Sequence, residues 1–134
     1  MSEVNRELAR AFLSALGQGQ IPEELLSQDM TIWTLTSGTA DKQRFLGGIR
    51  MLAAIFGGSL VYTIDSLTAE EDRVAAEVQS RGTLVSGEQY HNTHVFTFRM
   101  REGRIAAVAE YMNQTIVREK IVPLLQAAVA QSRS

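Results

Sequence analysis

Residues 89–112 read QYHNTHVFTFRMREGRIAAVAEYM, and the fold turns on how this stretch is paired. Up to Arg101 the side chains alternate between two classes, the mark of a half-buried strand, and a second such run starts at Arg104. Between them Glu102-Gly103 is turn material. A three-residue loop, built as a type I turn ending in an αL residue, wants glycine last, and Gly103 fits. It pairs Met100 with Arg104, Phe98 with Ala106, Phe96 with Val108, His94 with Glu110 and Asn92 with Met112. A two-residue loop would pair His94 with Tyr111 instead. The longer loop is preferred because it gathers Phe96, Phe98, Val108 and Met112 on one apolar face, together with Tyr90, Asn92, His94 and Glu110. His91, Thr93, Thr97, Arg99 and Tyr111 fall on the other, more water-tolerant face.

A histidine across from a glutamate on an otherwise apolar face is a distinctive combination. Opposite residues of a sheet hold their Cβ atoms about 4.5–5.5 Å apart, close enough for imidazole and carboxylate to share a hydrogen bond. Such a pair suits general acid–base catalysis. The plainer reading is a satisfied polar pair that only fixes strand register.

Outward from the hairpin, the chain divides into helices first and strands after. Val4, Leu8, Phe12 and Leu16 recur at helical spacing, with Gly17 as a stop. Pro22 suits the first turn of a short second helix. Residues 31–35, TIWTL, are β-branched and aromatic and read as a strand. Its tryptophan, Trp33, is expected inside, as core or pocket wall. Asp41 can cap a third helix with the stripe Phe45, Ile49, Leu52 and Phe56, ended by Gly57-Gly58. Strands over residues 60–67 and 73–85 lead into the hairpin. Ala76, Val78 and Ser80 are the inward residues of the second, small enough to leave room for a ligand. A last helix over residues 115–129 contains Pro123, which should kink or restart it. This is an α+β arrangement. With no repeat, low-complexity stretch or linker, residues 1–134 read as a single domain.

Composition narrows the chemistry. Lys and Arg number 13 against 15 Asp and Glu, a net charge of −2, which argues against a nucleic-acid binder. The absence of cysteine removes thiol catalysis, disulfide scaffolds and cysteine zinc sites. The longest apolar run, residues 51–56, falls far short of the roughly 20 residues of a membrane span. The opening MSEVNRE is too charged for a signal peptide. A cytoplasmic protein is expected, with no membrane partner. Two histidines facing opposite ways do not build a metal site, so neither metal nor organic cofactor is expected.

The pattern Gly87-x-x-Tyr90-x-Asn92-x-His94-x-Phe96-x-Phe98, followed by Glu102-Gly103-Arg104-Ile105 and Glu110-Tyr111-Met112-Asn113, resembles SnoaL-like proteins of the nuclear-transport-factor-2-like superfamily. Ketosteroid isomerases, limonene-epoxide hydrolases and polyketide cyclases are relatives. The resemblance implies a cone: a curved antiparallel sheet wrapped around a long helix, with N- and C-terminal helices and a small-molecule pocket at the open end. Asp72-Arg73-Val74 is similar to the epoxide hydrolases, yet Val78 and Ser80 stand where those enzymes carry a catalytic Arg and Asp, which makes that reaction unlikely here. The ketosteroid isomerase pattern needs more acidic groups than Glu110 alone. A polyketide-cyclase-like use of one carboxylate is the requirement this chain can meet, although Asn113 replaces an aspartate often found there.

The resemblance and the residues together imply a cofactor-independent isomerase, lyase or cyclase acting on a small apolar carbonyl or hydroxyl compound. His94 and Glu110 would be catalytic, and Trp33, Val78, Ser80, Tyr90, Asn92, Phe96, Val108 and Met112 would contact the substrate. The alternative is a non-catalytic ligand-binding or interaction domain that keeps the pocket. The outer sheet face (Glu77, Gln79, Arg81, Thr93, Val95, Thr97, Ala107, Ala109, Tyr111) mixes short apolar groups with hydrogen-bonders, and relatives commonly dimerise through theirs, so a homodimer is expected.

Overall fold

The computed structural model describes residues 2–132. Its centre is the hairpin: β5 (Gln89–Arg101) and β6 (Arg104–Met112) pair antiparallel. In chain order, α1 (Ser2–Leu16) and a 3₁₀ turn at Glu23–Leu25 precede β1 (Leu26–Thr34) and β2 (Gly38–Asp41). Then come α2 (Lys42–Ile55), β3 (Val61–Glu70) and β4 (Arg73–Thr83). The strand order is β2-β1-β6-β5-β4-β3, a six-stranded α+β sheet that curves without closing. The strand β2 has no sequence signal, since Gly-Thr-Ala-Asp lacks a β-branched run. β1 runs parallel to β6, so the sheet is mixed rather than wholly antiparallel. No turn joins those two strands, and no hairpin forces them to oppose.

The hairpin itself differs from the expected three-residue loop. Arg101 pairs with Arg104 across a two-residue turn in which both Glu102 (φ 52°) and Gly103 (φ 75°) have positive φ. That is the type I′ geometry, whose twist matches the strands it joins. Continued regularly, this turn would put Tyr111 inside and Glu110 outside. Instead the register slips between Met100↔Ile105 and Arg99↔Ala107, leaving Ala106 as an extra residue in β6. The bulge restores the expected faces with new partners: Phe98 faces Val108, Phe96 faces Glu110 and His94 faces Met112. A second bulge leaves Asp65 over between Ile64↔Val78 and Ser66↔Glu77. Bulges bend their strand and add twist, and these two help curl the sheet.

Strict alternation in β5 buries Tyr90, Asn92, His94, Phe96, Phe98 and Met100 on the concave face. Val74, Ala76, Val78 and Ser80 do the same in β4. Against them α1 lays Ala9, Phe12, Leu13 and Leu16. Phe12 stacks on Phe45 of α2 at 5.8 Å and meets Phe98 edge-on at 5.4 Å. Asp41 caps α2, its side chain accepting from the Arg44 amide at 2.8 Å. At the end of α1, a Cβ on Gly17 would stand 2.1 Å from the Leu60 carbonyl oxygen, so only glycine lets helix and β3 entry meet so closely.

The C-terminal segment is helical in three parts: α3 (Gln114–Ile116), a π turn (Val117–Ile121) and α4 (Val122–Ser132). Pro123 cannot donate a backbone bond and its ring crowds the carbonyl a turn earlier. The helix widens just ahead of it, the Val122 amide reaching back to the Val117 carbonyl. Ile121 then joins Ile55, Phe56, Leu60, Leu84 and Tyr90 in a second apolar cluster. No helix among the described residues is long and apolar enough to cross a membrane.

Candidate functional site

Between the two apolar clusters lies a cavity of about 370 Å³, within the range of small-molecule sites. Ile32 and Thr34 of β1, Phe45, Ile49 and Leu52 of α2, Tyr62 of β3 and Ile121 and Leu125 of the C-terminal segment form much of its wall. Polar groups enter from the sheet: Ser80, Tyr90, His94 and Glu110.

Three of them, Ser80, His94 and Glu110, form one hydrogen-bonded chain. His94 Nδ1 lies 2.8 Å from Glu110 Oε2, and His94 Nε2 lies 2.7 Å from Ser80 Oγ. Ser80 reaches the imidazole from β4, where it pairs with Asn92, two residues from His94. Glu110 reaches it diagonally, since its direct partner is Phe96 and not His94. Diagonal neighbours in a sheet remain within reach of long side chains. The imidazole is gripped by rings as well, with Phe96 stacked at 5.6 Å and Tyr62 tilted at 5.4 Å.

Burial is uneven along the chain of bonds. The His94 side chain is 5% exposed and that of Glu110 15%. Among the described residues Glu110 Oε1 has no hydrogen-bond partner, while no fully buried side-chain nitrogen or oxygen is left unpaired. Oε1 is therefore open to a ligand. With Nδ1 against a carboxylate, neutral His94 carries its proton there and accepts from the Ser80 hydroxyl at Nε2. Tyr62 and Tyr90 add phenols to the wall. Burial, and then the Glu110 charge, push the Tyr62 pKa well up. Burial also raises that of Tyr90, against the lowering effect of its bond from Asn92. Both phenols stay protonated donors at neutral pH.

The expected contact residues divide into three groups. Ser80, Tyr90 and Met112 line the cavity. Val78, Phe96 and Val108 do not; they are sealed in the core beneath it. Asn92 is sealed too. Its amide donates to the Tyr90 hydroxyl (3.0 Å) and the Asn113 carbonyl (3.2 Å), and its oxygen accepts from the Asn113 amide (3.1 Å). Trp33, expected inside, lies on the outer face, its ring 5.1 Å from Tyr111. In β1 both Ile32 and Trp33 are apolar, and pairing with β6 selects Ile32 for the interior, opposite Val108. Asn113 caps α3, its oxygen accepting from the Thr115 and Ile116 amides. Tyr62 was missed, although it alternates with Leu60 and Ile64, a signal already in the sequence. His91 faces outward and bonds Gln79 at 2.7 Å. Among the described residues no three His, Asp or Glu side chains converge as a metal-binding set.

The family model of the SnoaL-like domain matches residues 9–108. No curated protein matches the sequence. Among solved structures, AclR of Streptomyces galilaeus, a candidate hydroxylase, is 17% identical with a TM-score of 0.76, over 92% of this chain and 97% of its own. IdmH of Streptomyces antibioticus, a candidate polyketide cyclase, is 19% identical with a TM-score of 0.75, over 86% and 96%. An epoxide hydrolase of the LEH-like type from M. tuberculosis is 16% identical with a TM-score of 0.70, over 97% and 98%. Likeness at these identities is likeness of fold, and three different chemistries share it.

Proposed function

The chain belongs to the SnoaL-like domain family of the NTF2-like superfamily, and we propose that it is a cofactor-independent isomerase, lyase or cyclase. Its substrate is a small, largely apolar carbonyl or hydroxyl compound. The observation that carries this reading is the 2.8 Å contact of His94 Nδ1 with Glu110 Oε2 in the wall of a mostly apolar cavity. His94 holds one carboxylate oxygen, and the other takes a proton from the substrate and returns it to a different atom. The Tyr62 and Tyr90 hydroxyls supply donors for a carbonyl oxygen on which negative charge develops. Epoxide hydrolysis is disfavoured, because Val78 and Ser80 cannot activate a water as an Arg–Asp pair does.

The test is proton exchange. In heavy water, with a panel of apolar cyclic ketones and 1,3-diketones followed by NMR, the protein should accelerate α-proton exchange of at least one compound. Glu110→Gln should slow it at least ~100-fold, the lower range of general acid–base contributions, with Tm within a few degrees. Exchange no faster than with the Glu110→Gln variant for every compound would overturn the reading. It would favour the second one, a ligand-binding domain without chemistry, which the full hydrogen bonding of both His94 nitrogens supports.

The working form proposed is a cytoplasmic homodimer joined through the outer sheet face. There Trp33 and Tyr111 pack together, and Val95 and Tyr111 are 40% and 45% exposed. Sedimentation at micromolar concentration should give twice the 14.8 kDa chain mass; a monomer mass would sink the dimer.

A further inference from the structure

Ser80 is idle in the reaction just described, yet no other hydroxyl among the described residues is hydrogen-bonded to His94. Its oxygen is 2.7 Å from Nε2, and Glu110 holds Nδ1 on the far side of the same ring at 2.8 Å. This is hydroxyl, imidazole and carboxylate in the order that activates a serine: base on the nucleophile, carboxylate fixing the tautomer of the base. Such arrangements recur on unrelated folds and are recognised by geometry and role rather than by sequence position. The chain contains no cysteine, so any nucleophile of this kind has to be a hydroxyl.

We propose that Ser80, His94 and Glu110 form a nucleophilic array that accepts acyl groups from small apolar esters, an activity beyond the acid–base reading of the same cavity. The Ser80 oxygen bonds to the ester carbonyl carbon, its proton passes to His94 Nε2, and the C=O electron pair moves onto oxygen. The alcohol leaves with the proton from Nε2, giving acyl-Ser80. Water then adds, His94 takes its proton, and the acid departs as the Ser80 hydroxyl is restored.

The oxyanion of both tetrahedral intermediates needs donors other than the backbone, because the strand amides around Ser80 are engaged in the sheet. The register supplies them. Tyr62 is the direct partner of Ser80 on β3, and Tyr90 lies two residues from Asn92, its partner on β5. The Tyr90 oxygen already accepts from the Asn92 amide, so its own proton is free to point at a ligand. The Tyr62 hydroxyl has no partner among the described residues, and burial keeps both phenols protonated.

The test uses a small dialkyl fluorophosphate, which bonds phosphorus to an activated serine and releases fluoride. Intact-mass analysis should show one adduct per chain, mapped to Ser80 by peptide sequencing. Ser80→Ala should abolish it, and His94→Gln and Glu110→Gln should each slow labelling at least ~100-fold. Ser80→Cys guards against a folding failure. Its thiol, the only one in the chain, should react with an apolar maleimide at pH 7 at least tenfold faster than the same thiol in the urea-unfolded chain, and His94→Gln should remove that advantage.

No adduct, an adduct elsewhere, labelling indifferent to His94, or a Ser80→Cys thiol slower than its unfolded control would each overturn the proposal. Wild-type protein run in the ketone exchange assay separates the two readings. Exchange without labelling overturns the nucleophile alone; labelling without exchange overturns only the acid–base assignment.

Discussion

From residue 96 to residue 100, β5 turns Phe96, Phe98 and Met100 inward; from 90 to 94 it turns Tyr90, Asn92 and His94 inward by the same alternation. The first half closes the cone. Phe98 stacks on Phe96 at 6.1 Å and takes Phe12 edge-on, with no polar atom to satisfy. In the second half Tyr90 and His94 face the cavity and Asn92 is sealed between them, and each polar side chain there is held by named partners. The comparison teaches that period and chemistry are separate instructions: one backbone pattern makes a plug at one end of the strand and a lined pocket at the other.

The widest difference should appear on truncation of the plug. Phe98→Ala should cost about 3–5 kcal/mol in denaturant unfolding, as large-to-small changes of a buried aromatic do. A loss below about 1 kcal/mol would mean that this end is not close-packed. Next is Asn92→Ala, which strands the Asn113 amide and leaves the Asn113 carbonyl with the Val117 amide alone, and should cost about 1–3 kcal/mol. A neutral result would show that water reaches those groups.

The polar half can also be converted toward the plug. Replacing both His94 and Glu110 by leucine should abolish proton exchange at a stability cost no greater than the ~1–3 kcal/mol of the buried Ser80 hydroxyl left without its partner, since well-packed apolar residues often substitute for a buried polar pair. Unfolding of that double variant would show that the pair stabilises the fold.

The phenols give a pH signature. Their folded pKa values lie above the unfolded value of 10.0, so the stability they contribute is complete below pH 10 and is lost as pH rises beyond it. Chemical unfolding should become easier from about pH 10 upward, and a Tyr62→Phe, Tyr90→Phe double variant should lose less stability over that range. Equal slopes would disprove the assignment.

The smallest effect belongs to the surface. The hydrogen bond and charge of Arg101 lower the pKa of Asp29, but the pair is exposed, and Asp29→Asn should leave Tm at pH 7 unchanged within error.

How much of this was legible in the sequence depends on what each residue had to announce. The strands of the hairpin, the inward set Ala76, Val78 and Ser80 and the Asp41 cap follow from local periodicity or local chemistry, whereas His94 and Glu110, expected directly opposite each other, meet diagonally and only because of the bulge at Ala106. The turn type did not follow. Glycine at 103 suits both loops, and Glu102 at φ 52° is a conformation glutamate seldom adopts. Trp33 was placed on the wrong face because two adjacent apolar residues give no parity, and only pairing with β6, far along the chain, decides it. The bond from Ser80 to His94 was illegible too, since a small inward serine reads as empty space until the place of the neighbouring imidazole is known.

The extra residue at Ala106 can be restated as a matter of reading frame. The Glu102-Gly103 turn starts β6 one residue out of phase, and Ala106 puts it back in phase before the site begins. Were Ala106 taken into the ladder as an ordinary residue, Glu110 would pass to the outer surface and Tyr111 would come in, a change of every side chain downstream made without altering one of them. Cutting Ala106 out of the chain should do no such thing: Phe98 would still meet Val108, and Phe96 would still meet Glu110, in an unbroken ladder. What that deletion should remove is the local bend, so the residue acts as a spacer whose length matters more than its side chain.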